Sequence, residues 1–402
     1  MTSVEPPVPA GPTPARPTPA VAIDCAHFTA GRCRSCSLLD RPYAVQVAEG
    51  ESVARSALDR WPGVDWRSTV TGPVSGFRNK AKMVVTGTVE EPSLGIWNPA
   101  TGGVDLRDCP LHEPAVTASL PVLAELVTRA RLTPYDIAAR RGELKHLLVT
   151  GSPEGELMVR VVLRSTEAVP RLRKHLTWLR DALPAARVVS VNLQPEPKAV
   201  LEGDEELVLT DAATLPMRLG GAAGGAGGLT LHLRPQSFFQ TNTTVATALY
   251  DRARAWTEEL APLSVWDLYC GVGGFALHLA APGRDVVGVE VSPEAVASAT
   301  LSAREAGVRA RFEAADAIAW ATRQSTAAEL VVVNPPRRGI GPVLADWLDG
   351  SDAAHVLYSS CEVTSLRADL DRMPTWRPVR AQVLDMFPHT RHQELLVLLE
   401  RR

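Results

Sequence analysis

The chain has 402 residues, of which 45% are hydrophobic and 22% charged, and a formal net charge of -3. This length is sufficient for two or three domains, and the composition is that of a globular protein. The slightly acidic charge argues against a large non-specific nucleic-acid surface but allows a local basic groove. No apolar run reaches the roughly 20 residues of a membrane-spanning helix, so we expect a cytoplasmic protein without membrane contacts.

The N-terminal segment differs in composition from the rest of the chain. Residues 1–20 are rich in Pro, Ala and Thr, and their only charged side chains are Glu5 and Arg16. The segment lacks the apolar core of a signal peptide and has no aromatic residue around which to fold. We therefore expect residues 1–22 to form a disordered Pro/Ala-rich tail.

Cysteine usage points to metal binding or catalysis rather than to disulfides. In a chain of this size without an export signal, thiols are expected to stay reduced. Four of the six lie in a loop-rich segment between residues 23 and 111, and the other two lie in the C-terminal half: Cys25, Cys33, Cys36 and Cys109, then Cys270 and Cys361.

From residue 265 onward, short apolar strands alternate with helices, which predicts a doubly wound, mainly parallel sheet. The second helix of this region is well marked by Ser292 as N-cap, Pro293 at the first helical position and Gly307 at its end. The last two strands have no helix between them, so we expect them to be antiparallel. The predicted strands are 265–268, 285–291, 309–314, 329–333, 355–359, 379–384 and 394–399.

A glycine-rich turn after the first of these strands predicts a cofactor site. Asp267 precedes the glycines of this turn, where a carboxylate could bind a ligand ammonium, and Gly271 allows close backbone approach. Glu290 ends the next strand, near the spacing expected for an acid that binds ribose hydroxyls. Asp316 ends the third strand, where an adenine contact and a plain surface position are equally consistent with the pattern.

The ends of the next strands carry candidate reactive groups. Asn334 precedes two prolines that make a rigid loop, and Cys361 follows the fifth strand. Because parallel strands end at one edge of a sheet, both side chains should face the same crevice as the cofactor turn. Glu394, at the turn into the last strand, is the candidate base.

The order of these motifs resembles the RNA uracil-C5 methyltransferases, and within them the branch that acts on 23S ribosomal RNA. The likeness runs from Cys25 to Arg402. It is strongest at residues 25–36, 77–82, 234–242, 267–274, 334–339, 358–361 and 387–394.

The resemblance implies a Rossmann-like methyltransferase domain at 233–402 that binds S-adenosylmethionine through Gln240, Tyr269, Glu290 and Asn334. Cys361 would add to carbon 6 of uracil, and Glu394 would remove the carbon 5 proton. Three features depart from the family pattern. Tyr269 replaces a Phe, Glu362 follows the nucleophile where Asn is common, and a Gly/Ala run at 220–228 resembles an insertion.

The four clustered cysteines suit either a zinc ion or a [4Fe-4S] cluster by ligand count. Their spacing is not that of paired CxxC motifs, and the resemblance favours the iron–sulfur cluster, in an α+β, RNA-binding domain at residues 23–232. Basic side chains around this segment could neutralise phosphates: Arg32, Arg34, Arg78, Lys80 and Lys82.

The expected substrate is a loop or hairpin uridine of 23S rRNA, since the base must leave its stack. The resemblance favours a site of the U747 type over one of the U1939 type. We expect a monomer that binds RNA and not DNA. Two alternatives remain: an amino-group methyltransferase that uses the Asn-Pro-Pro loop, and an iron–sulfur RNA-binding protein without catalysis.

Overall fold

The computed structural model describes residues 23–98, 102–197, 200–220 and 228–402. The expected disordered tail and most of the Gly/Ala run lie outside these ranges. The helices are α1 Ala26–Thr29, α2 Tyr43–Ala57, α3 Pro114–Arg129, α4 Val169–Ala182, α5 Thr243–Leu260, α6 Gly274–Leu279, α7 Pro293–Ala306, α8 Ala317–Ala321, α9 Gly341–Gly350 and α10 Val363–Asp371.

The strands form one eight-stranded sheet, one seven-stranded sheet and a two-stranded hairpin. The strands before the hairpin are β1 Asp65–Val70, β2 Lys80–Gly87, β3 Pro92–Asn98, β4 Gly102–Asp105, β5 Leu144–Gly151, β6 Leu157–Leu163, β7 Ala186–Leu193 and β8 Glu205–Val208. The others are β9 Leu215–Leu219, β10 Leu229–Leu233, β11 Ser264–Leu268, β12 Asp285–Glu290, β13 Arg311–Ala314, β14 Leu330–Val333, β15 His355–Ser360, β16 Trp376–Leu384 and β17 Glu394–Arg401.

The eight-stranded sheet has the order β1-β16-β17-β15-β14-β11-β12-β13. Strands β11 to β15 are parallel to their neighbours in this group, and β17 is antiparallel to both β15 and β16. The mainly parallel sheet and antiparallel last strand predicted from the alternating pattern are therefore confirmed. Helix α7 begins and ends as predicted: Ser292 accepts a hydrogen bond from the Ala295 backbone N–H, and Gly307 is left-handed.

Both faces of this sheet are buried, which explains why its central strands are continuous apolar runs. In β14, Leu330 and Val332 pack into one hydrophobic cluster, while Val331 and Val333 pack into a second on the opposite face. The alternation follows from the two-residue period of a strand. Helices on the two faces complete the Rossmann-like layers.

An edge strand of this sheet comes from the N-terminal part of the chain. Strand β1 pairs in parallel with β16, and α2 packs against β16 and α10. The sequence placed both elements in the N-terminal domain, because nothing in their local pattern marks so distant a partner. The expected domain division at residues 232 and 233 stays a prediction, but α2 and β1 contribute to the C-terminal sheet.

The seven-stranded sheet has the order β4-β3-β2-β5-β6-β7-β8. Its neighbours are antiparallel except β6 and β7, which are parallel and joined through α4. Helices α3 and α4 pack on one face and form a separate hydrophobic core with alternate residues of β5 to β7. Among the described residues, no helix is both long and apolar enough to span a membrane.

Candidate active site

A cavity of about 680 Å³ lies at the carboxyl edge of the parallel strands. Such sheets bind ligands at this edge, where successive strand ends face one crevice. The structure brings together eight of the nine residues that the sequence assigned to the cofactor or to catalysis, and each of these eight lines the cavity: Gln240, Tyr269, Gly271, Glu290, Asp316, Asn334, Cys361 and Glu394.

The glycine turn between β11 and α6 is held by Glu290. One carboxylate oxygen accepts a hydrogen bond from the Gly271 N–H at 3.1 Å, and the other accepts from the Ser292 N–H at 3.0 Å. Tyr269 and Gly271 have positive φ angles of 66° and 54°. Glu290 therefore fixes the turn while its position at the end of β12 keeps it on the cavity wall.

Asp267 is the ninth residue, and it lies beneath the turn rather than on the cavity wall. It is fully buried, and its Oδ2 accepts a hydrogen bond from the Ala276 N–H at 2.8 Å. Within the described residues its Oδ1 has no partner. Burial first, and then Glu290, raise the pKa of this carboxyl to about 7. The contact with a ligand ammonium that the sequence suggested for Asp267 therefore stays a prediction.

Asn334 and Asp316 occupy the ends of two other strands. Asn334 follows β14, as expected, and its side chain is half-buried. Asp316 is exposed, and its Oδ1 caps α8 by accepting a hydrogen bond from the Ala319 N–H at 2.8 Å. The cap explains an acid at this position without a ligand, so the adenine contact stays a prediction.

Cys361 is presented by a tight turn between β15 and α10. The Ser360 hydroxyl donates to the Glu362 carbonyl at 2.9 Å, and the Glu362 side chain caps α10 by accepting from the Thr364 N–H at 3.2 Å. Burial first, and then Glu394, raise the pKa of the half-buried Cys361 thiol, whereas Arg337 lowers it. Glu362, which departs from the family pattern, also raises the pKa of Cys361, but its effect is the smallest of these.

Glu394 is buried at the first position of β17. The hydroxyl of Ser359, on the neighbouring β15, donates a hydrogen bond to its Oε1. Burial raises the pKa of Glu394 to about 7, and the Ser359 hydrogen bond opposes that rise. A carboxyl with a pKa near neutrality is well matched to accept and release a proton at physiological pH.

The structure also places four side chains at the site that the sequence did not single out. Phe238 lines the cavity although 69% of its surface is exposed, and Tyr250 and Arg337 line it from α5 and from the loop after β14. Asp369 anchors the end of that loop by accepting from the N–H groups of Ile340 and Gly341. The Phe238 and Arg337 positions fall inside quoted motifs, whereas no local signal marks Tyr250 or Asp369.

The four N-terminal cysteines lie near one another. The pKa of the Cys36 thiol is raised to about 12, by burial first and then by Cys109, Cys33 and Cys25. His27, between the first two cysteines, bonds through Nε2 to Asp108 at 2.7 Å, which ties this loop to Cys109. In the described ranges, however, no group of three or more His, Cys, Asp or Glu side chains is already arranged to hold a metal ion.

The comparisons with known proteins agree with this fold. A methyltransferase-domain family model matches residues 265–335. The crystal structure of the Pyrococcus abyssi tRNA (uracil-54, C5)-methyltransferase with S-adenosyl-L-homocysteine superimposes with a TM-score of 0.74, covering 90% of this chain and 85% of that one at 24% identity. The fold is thus that of a Rossmann-like methyltransferase.

Sequence relatives narrow the class to a family. The family model for tRNA (uracil-5-)-methyltransferases matches residues 321–402. The 23S rRNA (uracil(747)-C(5))-methyltransferase RlmC of Cronobacter sakazakii is 46% identical over 94% of this chain and 99% of its own length. The enzyme of the same name from Escherichia coli O6:H1 is 44% identical with the same coverage. The chain belongs to the RNA uracil-C5 methyltransferase family, in the branch that contains these 23S rRNA enzymes.

Proposed function

We propose that this protein transfers a methyl group from S-adenosylmethionine to carbon 5 of a uridine in 23S rRNA, at the position equivalent to uracil 747. The single observation that carries the proposal is that a thiol, Cys361, and a buried carboxyl, Glu394, line one cavity with the glycine turn of a methyltransferase fold. The specific rRNA site is taken from the relatives, which align over nearly the whole chain.

The cavity fits S-adenosylmethionine by the chemistry of its walls. We assign Gln240, Tyr269, Gly271, Glu290 and Asn334 to the cofactor, with Asp316 as a candidate adenine contact. Asp267 fits as a buried carboxylate beneath the turn, and its Oδ1, which has no partner among the described residues, would favour a cationic ligand above it. The cofactor, when bound, supplies an electrophilic methyl group on a sulfonium.

Cys361 supplies the nucleophile that this chemistry requires. Carbon 5 of uracil is itself a poor nucleophile. When the Cys361 thiolate forms a bond to carbon 6, the electron pair of the 5,6 double bond moves toward the O4 carbonyl, and carbon 5 gains the reactivity of an enolate. Arg337 assists because its positive charge lowers the pKa of the thiol.

Glu394 completes the reaction after carbon 5 has taken the methyl group. Its carboxylate removes the carbon 5 proton, the electron pair of that C–H bond restores the 5,6 double bond, and the C6–S bond breaks to release the Cys361 thiolate. Burial places the pKa of Glu394 near 7, so that a substantial fraction is ionised and ready to accept the proton at neutral pH.

The N-terminal part is proposed to orient the RNA. We infer that residues 23–232 form a domain in which Cys25, Cys33, Cys36 and Cys109 hold a [4Fe-4S] cluster, with zinc as the alternative. Four thiolates are the donor set of either group. Nearby cations then contact phosphates that flank the target: Arg32, Arg34, Arg78, Lys80 and Lys82.

Substitution of Cys361 by Ala tests the reaction against its rivals. We expect the variant to bind RNA and to transfer no methyl group, whereas an amino-group methyltransferase would keep its activity and a non-catalytic protein would have none to lose. RNA with 5-fluorouridine at the target gives a sharper readout. Carbon 5 then carries fluorine in place of the proton that the base would remove, so the covalent adduct with Cys361 persists. An active wild-type preparation that forms no adduct would refute thiolate attack.

The cluster is tested separately by the ultraviolet-visible spectrum and the metal content of anaerobically purified protein. A broad absorption band in the visible range together with about four iron atoms per chain would support a [4Fe-4S] cluster. One zinc per chain without visible absorption would instead establish the alternative. The Cys36→Ser variant is expected to lose the metal in either case.

A further inference from the structure

A second cavity, of about 500 Å³, lies behind the turn that carries Glu394. Its walls come from α2 and the residues just before it, from β1 and β16, and from residues 389–393. None of the residues proposed to act in methyl transfer lines this cavity. It is a separate space that the reaction described above leaves without a role.

Consecutive residues of one chain segment line the two cavities. Glu394 lines the catalytic cavity, and the residue before it, Gln393, lines the second cavity, as expected when successive side chains of extended chain point to opposite sides. His392 also lines the second cavity, and it interacts electrostatically with Arg337 of the first. The second cavity therefore borders the same short segment of chain as the cavity that holds Cys361.

The second cavity combines apolar and polar groups in the way that a nucleobase site does. Leu38, Val47 and Val53 supply apolar surface, and Val53 is 53% exposed at the rim. The buried Gln46 donates through Nε2 to the Arg41 carbonyl at 2.9 Å, while its Oε1 has no partner among the described residues. Pockets for small aromatic ligands such as nucleobases combine apolar contact with a few hydrogen-bonding groups in this way.

The charges around this cavity also favour a nucleotide. Glu49 is paired with Arg41, and Asp385 accepts a hydrogen bond from Tyr43 at 2.6 Å, so both acids are engaged. Arg391 is exposed at the rim and forms no ion pair within the described part of the chain. Arg391 is therefore suited to contact a phosphate of an RNA backbone whose base enters the cavity.

We propose that the second cavity binds an unpaired nucleobase close to the target uridine in the same RNA. The inference rests on the proposed RNA methylation and deepens it. Extrusion of the target base breaks its stacking contacts with the neighbouring bases. Binding of one of those neighbours in a pocket would offset this cost. Such a pocket would also help to select the target uridine, because only an RNA with a suitable base at a fixed distance from that uridine could fill it.

A filling substitution at the rim tests the proposal. Val53→Trp places a large side chain at the mouth, and Val45→Trp is the matched control, since Val45 is also exposed on α2 but does not line the cavity. We expect Val53→Trp to weaken binding of a 23S rRNA fragment that contains the target by about tenfold, and Val45→Trp to leave it unchanged. Affinity for S-adenosylhomocysteine and the thermal midpoint, measured on both variants, should match the wild type.

Abasic substitutions in the RNA identify the occupant. In a synthetic hairpin, one abasic nucleotide near the target should weaken binding to the wild type about tenfold and have no further effect on Val53→Trp. Equal penalties in both proteins at every position would overturn the proposal.

The failure of this proposal is distinguishable from that of the methylation reaction. The 5-fluorouridine adduct of the wild type, formed with the unmodified hairpin sequence, reports on Cys361 chemistry alone. If the wild type forms the adduct but RNA affinity does not depend on Val53, the proposed methylation stands and the proposal of a second site is wrong.

Discussion

The hydroxyl of Ser359 donates a hydrogen bond to the carboxyl of Glu394, and both side chains are buried. The two residues lie on adjacent antiparallel strands, so the contact is made by the sheet itself. The hydrogen bond opposes the upward shift of the Glu394 pKa caused by burial. The proposed base is therefore adjusted by a neighbour that does not itself line the cavity.

Replacement of Ser359 by Ala should shift the pH dependence of methyl transfer. Because the hydrogen bond stabilises the carboxylate, its loss raises the pKa of Glu394 above the value of about 7. The acidic limb of kcat/KM, which rises as Glu394 ionises, should then move to higher pH. Ser298→Ala, a buried change in α7, is the control, and coincident profiles for all three proteins would contradict the assignment of Glu394.

Replacement of Glu394 by Gln should trap the enzyme on natural RNA. The amide cannot take the carbon 5 proton, so the methylated adduct at Cys361 cannot resolve, and turnover should fall by roughly 10²-fold or more. The adduct is visible as a slowly migrating protein–RNA band under denaturing conditions. A variant that turns over at the wild-type rate would show that another group removes the proton.

Substitution of Arg337 should reduce the reactivity of the Cys361 thiol at neutral pH. The guanidinium lowers the thiol pKa, so Arg337→Gln should raise that pKa, whereas Arg337→Lys keeps the charge and should retain most of the effect. The measurement is the pH dependence of iodoacetamide labelling at the Cys361 peptide, read by mass spectrometry. Identical profiles for the Gln variant and the wild type would exclude this role for Arg337.

Gly274 should tolerate no side chain while Tyr250 is present. A Cβ at this position would lie 2.4 Å from the Tyr250 hydroxyl, which sits over the N-terminal end of α6. Gly274→Ala should therefore lower the free energy of unfolding by about 1–3 kcal/mol, and Tyr250→Phe in the same chain should recover part of that loss. Gly350→Ala, which meets no atom within 4 Å, is the control, and denaturant titration measures all four proteins.

Glu394 should make the wild type less stable as the pH rises. Its folded-state pKa of about 7 lies above the ordinary value of 4.5, so the folded state binds the proton more tightly than the unfolded state does. Stability from this group is present below the ordinary pKa and is lost as the pH rises to about 7. Glu394→Gln removes this dependence and should gain about 1–3 kcal/mol relative to the wild type between pH 4.5 and pH 8. An equal difference at both pH values would argue against a raised pKa.

Much of the parallel sheet could be predicted from the sequence because its signals are local. Each strand is a short apolar run, and helix α7 carries its own cap, first-turn proline and terminal glycine. Parallel strands end at one edge, so the residues after them could be placed in a common crevice before any contact was known. Cys361 and Glu394 lie in that crevice as expected.

Features that depend on distant pairing could not be predicted in this way. The pairing of β1 with β16 joins residues more than 300 positions apart, and the pattern of β1 names no partner. The position of Asp267 beneath the turn depends on which N–H group its carboxylate meets, and that is the N–H of Ala276. Tyr250 reaches the cavity only because α5 packs against α6.

The sequence by itself determined the fold class and the family and predicted which thiol faces the crevice, because strand periodicity, turn chemistry and motif order are local properties of the chain. Tertiary structure alone decided the electrostatics of Cys361 and Glu394, since burial and the approach of Ser359 and Arg337 set their pKa values. It also decided the existence of a second cavity behind the turn that carries Glu394, which forms where α2 meets β16 and residues 389–393. Energies of this kind arise from groups that are far apart in sequence, so no local pattern encodes them.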